Sequence, residues 1–153
     1  MLRLSSVRSQ SEVFAIAKTF DNRLVKWWQK ILGIQDWRVD VTCMDNAKCV
    51  EVYGPGKAGY CEAVQSRQWA SVMVNLDPGD GTDPEHSLVH EEVHVLLNDV
   101  WMAVLRMMDS YITDAHAHEF AKAEVDAKME IAVDKMASAL MRLKAKTKTG
   151  VRG

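Results

Sequence analysis

Five consecutive residues constrain this chain more than any others. His90, Glu91, Glu92, Val93 and His94 read H-E-x-x-H, inside a stretch whose apolar residues recur at helical spacing. Asp83, Pro84 and Glu85 open that stretch. Aspartate caps a helix, proline fits its first position, and glutamate suits the positive end of its dipole. The spacing predicts a helix over residues 84–108, with Leu88, Val89, Val93, Leu96, Leu97, Val100, Trp101, Val104 and Leu105 as its apolar surface. Residues four apart share one helix face. Both imidazoles then reach one Zn²⁺ at about 2.0–2.1 Å. Glu91 leaves the helix at a neighbouring angle, beside the position a catalytic zinc keeps open. There it takes a proton from water and passes it to a leaving amine. The motif predicts a zinc site held by His90 and His94, with Glu91 as general base.

The rest of the chain supplies a scaffold of ordinary size. At 153 residues, nearly half of them apolar, it makes one domain with a real core. We place that domain at residues 1–146 and a flexible basic tail at 147–153, since Arg142, Lys144, Lys146, Lys148 and Arg152 gather at the end. A formal net charge of −2 argues against a nucleic-acid binder driven by bulk charge. There is no signal-peptide pattern and no apolar run long enough for a membrane span, so a cytoplasmic protein is expected. Cys43, Cys49 and Cys61 are odd in number and irregular in spacing, a poor disulfide framework, and are expected as thiols in or beside strands.

Periodicity predicts a long amphipathic helix over residues 11–32, ended at Gly33. Residues 36–43 alternate strictly, with Trp37, Val39, Val41 and Cys43 on one face, as a half-buried strand does. Two further strands are expected at residues 49–53 and 58–65, around the turn signal of Gly54, Pro55 and Gly56. A fourth is expected at 69–76, as a possible border of the active-site cleft where an extended substrate backbone pairs. A last helix over 114–143 would pack through Met129, Val133, Met136, Leu140 and Leu143. The five tryptophans are expected in the core. The order predicts an α+β domain, with helices against one face of a small twisted sheet.

A catalytic zinc needs a third protein ligand. The last helix offers His116, His118, Glu119, Glu124, Asp126 and Glu130. At 100° per residue from Met129, Glu124 points away from the packing stripe, whereas Glu119, Asp126 and Glu130 border it. His86, one turn before the motif, reads as a helix-start residue. Tyr111, His116 and His118 are candidates to stabilise an oxyanion.

The motif, followed by a helix carrying a glutamate, resembles the gluzincin clan of zinc peptidases. The small size is similar to the single-domain minigluzincins and to small phage-encoded metallopeptidase-like proteins. Leu32, Gly33, Ile34, Gln35, Asp36, Trp37, Arg38 and Val39 resemble that phage group, as does the run from Met129 through Glu130, Ile131, Ala132 and Val133 to Ala137. The resemblance spans most of residues 32–140 and implies a zincin-like fold. It has a sheet of three to four strands, an N-terminal backing helix, the motif helix and a C-terminal glutamate helix. It makes Glu130 the third ligand and implies zinc-dependent hydrolysis of a polypeptide. Two alternatives remain. One is a binding protein, a modulator of a host factor whose zinc site is structural or vestigial. The other is a protease similar to the SprT-like proteins, with His116 or His118 as third ligand.

Overall fold

The computed structural model describes residues 22–149. Helix α1 (Asn22–Leu32) buries Val25, Trp28 and Gln29. Gly33 ends it at φ 72°, a left-handed conformation that costs glycine little. The backbone N–H of Ile34 bonds back to Gln29 at 2.9 Å. The expected helix begins at residue 11, and its first part lies outside the described residues.

Strand β1 (Arg38–Met44) follows, and then a second helix, α2 (Asn46–Tyr53). The strand expected at residues 49–53 is therefore corrected to helix. The Asp45 side chain accepts a bond from Lys48 N and caps its start, and Gly54 at φ 85° closes its end. These caps outweigh the strand preference of Val50, Val52 and Tyr53, which is weak over so short a run. Cys49 accordingly lies on a helix, fully buried.

Strands β2 (Gly59–Val64) and β3 (Trp69–Asn75) complete a three-stranded mixed sheet of order β1-β3-β2. β1 runs parallel to β3, with Arg38 opposite Trp69 and Met44 opposite Asn75. β2 runs antiparallel to β3, with Gly59 opposite Val74. The central place of β3 explains why its burial is nearly continuous. It also moves the cleft border. With both its edges paired, β3 offers no free edge to a substrate, and the edge strand beside the site is β2.

Helix α3 (Pro84–Tyr111) starts as its sequence dictates, with Asp83 accepting from Glu85 N at 2.9 Å. A three-residue link leads into α4 (Ala115–Thr149), where Asp114 takes the N–H of Ala117 at 2.8 Å. Ala70, Val72 and Val74 of β3 pack with Trp28, Leu88, Val89, Val93, Val133 and Ala137 into the main core. α2 covers the opposite sheet face, where Cys49 Sγ lies 3.9 Å from Met73 Sδ. Helices thus cover both faces, not one.

The packing stripe of α4 is Met129, Val133, Ala137, Leu140 and Met141, whereas Met136 and Leu143 are exposed. Leu96 and Val100 of α3 are likewise exposed, because only its first half lies against the sheet. Trp28 and Trp37 join the core, while Trp27 is 40% exposed. α4 also outruns its expected end at residue 143. Lys144, expected in a solvated basic cluster, instead folds back onto Glu85 and lies over the rings of Trp27 and Trp28 at 5.4 and 5.5 Å. Among the described residues, no helix is long and apolar enough to cross a membrane.

Candidate metal centre

Helices α3 and α4 are antiparallel, and their facing sides form a ladder. His94, His90 and His86 descend one face of α3 at four-residue steps. Glu130, Asp134 and Ser138 ascend the facing side of α4 at the same step. His94 Nε2 lies 3.3 Å from Glu130 Oε1, and His90 Nε2 lies 3.3 Å from Glu130 Oε2. The two Nε2 atoms are 3.2 Å apart. His86 Nε2 meets Ser138 Oγ at 3.1 Å.

His90, His94 and Glu130 each present an atom within 4.8 Å of the others, the separation that could hold a metal ion. Their chemistry fits zinc. Bonds of about 2.0–2.1 Å in a tetrahedron set neighbouring ligands roughly 3.3–3.4 Å apart. Two neutral imidazoles presenting lone pairs at 3.2 Å repel unless a proton or a cation lies between them. Both histidines are half-buried while Glu130 is exposed, so one side of the cluster stays open.

That side opens into a cavity of about 610 Å³ lined by His90, His94, Glu130 and Glu91. Glu91 is 7% exposed. Burial, then the charge of Glu130, pushes its carboxyl up to about 8, while Lys57 pulls the other way. Burial lowers His94 below the usual imidazole range, and the charge of Glu130 opposes the shift. Glu92, one step along the helix, turns into the interior, where neither oxygen has a hydrogen-bond partner among the described residues, and burial lifts it to about 8.

The far wall is β2. Gly59 abuts Glu91 so closely that a Cβ there would stand 2.3 Å from Oε1. Gly59, Cys61 and Ala63 alternate toward the site, and their small side chains leave room at that wall of the cleft. Burial, followed by the charges of Glu91, Glu62 and Glu92, raises the Cys61 thiol to about 12.

Of the third-ligand candidates, Glu130 reaches the histidines. Asp126 lines the cavity but bonds Lys122 at 2.8 Å, and Glu119 and Glu124 are exposed. His118 pairs with Asp109 at 2.9 Å, and His116 is exposed outside the cavity. Neither histidine joins His90 and His94 in this structure. Tyr111 is 81% exposed and lies outside the cavity wall.

Three residues escaped the sequence reading. Asp134 sits 3.8 Å from His86 Nε2 and 4.0 Å from His90 Nδ1, too far to bond but near enough to attract positive charge. Its spacing of four from Glu130 was the available signal. Gly59 and Lys57 carried no local signal, because only the tertiary approach of β2 to α3 brings them to the site. The chain matches no protein-family model, no curated protein and no solved structure.

Proposed function

We propose that this chain is a zinc-dependent peptidase or amidase of zincin-like build, acting on a polypeptide. One observation carries the reading: three zinc-type donors converge beside a buried glutamate at the mouth of a cavity. His90, His94 and Glu130 would hold the ion, and their open side leaves room for water and substrate.

A bound zinc would polarise the scissile carbonyl and acidify a water. Glu91 takes the proton of the attacking water and hands it to the leaving nitrogen. Its carboxyl returns toward the ordinary range once positive charge occupies the ligand point, since an opposite charge favours the ionised form. The outer edge of β2, unpaired among the described residues, pairs with an extended substrate backbone, and its small inward residues leave space for side chains.

The test is metal content together with cleavage of a mixed peptide library. We expect about one zinc per chain. Glu91→Gln should keep the metal and lose about 10²-fold or more in rate, the usual effect of removing a positioned acid–base group. Zinc-loaded wild type that cleaves nothing in the library would overturn the enzyme reading in favour of a zinc-stabilised binding protein.

A further inference from the structure

We propose that Lys57 is a catalytic residue of this site, the cation that meets the substrate carbonyl oxygen as negative charge builds on it. The proposal rests on the peptidase reading above.

The cavity wall is acidic. Glu91, Glu130, Asp126 and Asp134 all contribute to it. An oxygen gaining charge among four carboxyl groups needs a compensating donor, and such preorganised donors are worth most where water is scarce. Lys57 is the one lysine or arginine among the described residues that line the cavity.

Its anchorage suits the task. The Lys57 carbonyl accepts a bond from Asn75 Nδ2 at 2.9 Å and another from Cys49 Sγ at 3.4 Å. Asn75 N bonds the next carbonyl, that of Ala58, at 2.9 Å. Asn75 itself is 1% exposed and bonds Asn46 at 3.0 Å. The stem of Lys57 is thus fixed to the buried end of β3, while its side chain is exposed at the cavity. Two residues later comes Gly59, in contact range of Glu91.

Competing donors are worse placed. Tyr60 also lines the cavity, but its ring is drawn to that of Tyr53 of α2, 5.0 Å away. Asn98 Nδ2 is shut off from solvent in the cavity wall. In the reaction, the water oxygen bonds to the carbonyl carbon, the C–N bond breaks, and Glu91 carries the proton to nitrogen. Lys57 contributes charge alone and takes no part in the proton transfer.

The experiment compares zinc-loaded wild type with Lys57→Met and Lys57→Arg, using a cleavable peptide and a peptidyl phosphonate. The phosphonate carries its negative charge on a tetrahedral centre. Lys57→Met should keep one zinc per chain and a KM within about threefold, while kcat falls about 10²-fold, the scale for removing an oxyanion donor. Phosphonate affinity, read by calorimetry, should fall by a similar factor, and Lys57→Arg should recover most of both. Unchanged kcat and unchanged phosphonate affinity in Lys57→Met would overturn the proposal. So would a raised KM at constant kcat confined to peptides with a free C-terminal carboxylate, which would make Lys57 a substrate anchor. Wild type that neither cleaves the peptide nor binds the phosphonate would instead overturn the peptidase reading itself.

Discussion

Glu91 fills the space that a side chain at Gly59 would need: a Cβ on the glycine would stand 2.3 Å from Oε1 and 2.8 Å from Cγ of the glutamate. The end of the Glu91 side chain would have to swing aside to admit a methyl group there. Gly59→Ala should therefore push the carboxylate off its position. We expect zinc content to be unchanged and cleavage to fall by about tenfold or more, since small misplacements of an acid–base group cost rate steeply. Full activity in this variant would show that Glu91 tolerates displacement.

The metal assignment predicts a ranking. His90→Ala, His94→Ala and Glu130→Ala should each lose stoichiometric zinc, and Glu124→Ala should retain it. Zinc should also protect the fold. At free zinc about 100-fold above Kd, binding adds about 2.7 kcal/mol to stability. Scanning calorimetry with and without zinc reads this directly. A zinc-dependent rise in Tm that persists in Glu130→Ala would dismiss the third ligand.

Stability should depend on a clamp far from the chemistry. Glu85 Oε1 accepts the indole N–H of Trp28 at 2.8 Å and also holds the Lys144 ammonium. One carboxylate therefore ties α1, α3 and α4 together, with both charged side chains mostly covered. Glu85→Ala strands a buried indole N–H and a covered ammonium, at a cost of about 3 kcal/mol. Urea unfolding measures it, and a loss below about 0.5 kcal/mol would reduce the clamp to an ordinary surface pair.

Glu92 predicts the opposite sign. It is fully buried, and neither oxygen has a partner among the described residues. Glu92→Leu removes that penalty at similar volume, so it should stabilise by about 1–3 kcal/mol. A lower Tm in this variant would mean that the carboxyl makes an interaction worth keeping.

The thiols give a pH prediction. Burial raises all three, and Cys61 reaches about 12. The thiolate is the reactive form, so a raised pKa slows alkylation. At pH 8 about one Cys61 in 10⁴ is ionised, against roughly a quarter of free thiols of ordinary pKa. Iodoacetamide at pH 8 should leave the native protein unmodified over times that label all three cysteines in urea. Cys61 labelling should then rise about tenfold per pH unit toward 12. Rapid labelling of folded Cys61 at pH 8 would contradict this.

The legible parts of the sequence were those where a local pattern and the tertiary outcome agree. Alternation over Trp37, Val39 and Val41 gave β1, and Asp83 with Pro84 gave the start of α3 within a residue. Helical angles left Glu119, Asp126 and Glu130 beside the packing stripe, and the resemblance singled out Glu130, which lies with His90 and His94. Local signals misled at residues 49–53, where β-favouring side chains sit between a capping Asp45 and a closing Gly54. Strand order was not readable at all. Nothing in residues 69–75 says that β1 will pair parallel on one side and β2 antiparallel on the other. The approach of Gly59 to Glu91 depends on that order, so it was hidden with it.

The split of the donor set between α3 and α4 has a kinetic side. Two donors ride on one helix and the third on the other, and the three-residue link between the helices lies at the far end of the hairpin. An ion held there has two ways out: the exposed Glu130 swings off it toward the open side, or the helices part against the buried Val133 and Ala137. The first leaves the core intact, so metal exchange should outpace the opening of the helix pair. Its rate, followed with a chelating dye, becomes an upper bound on how often this domain breathes.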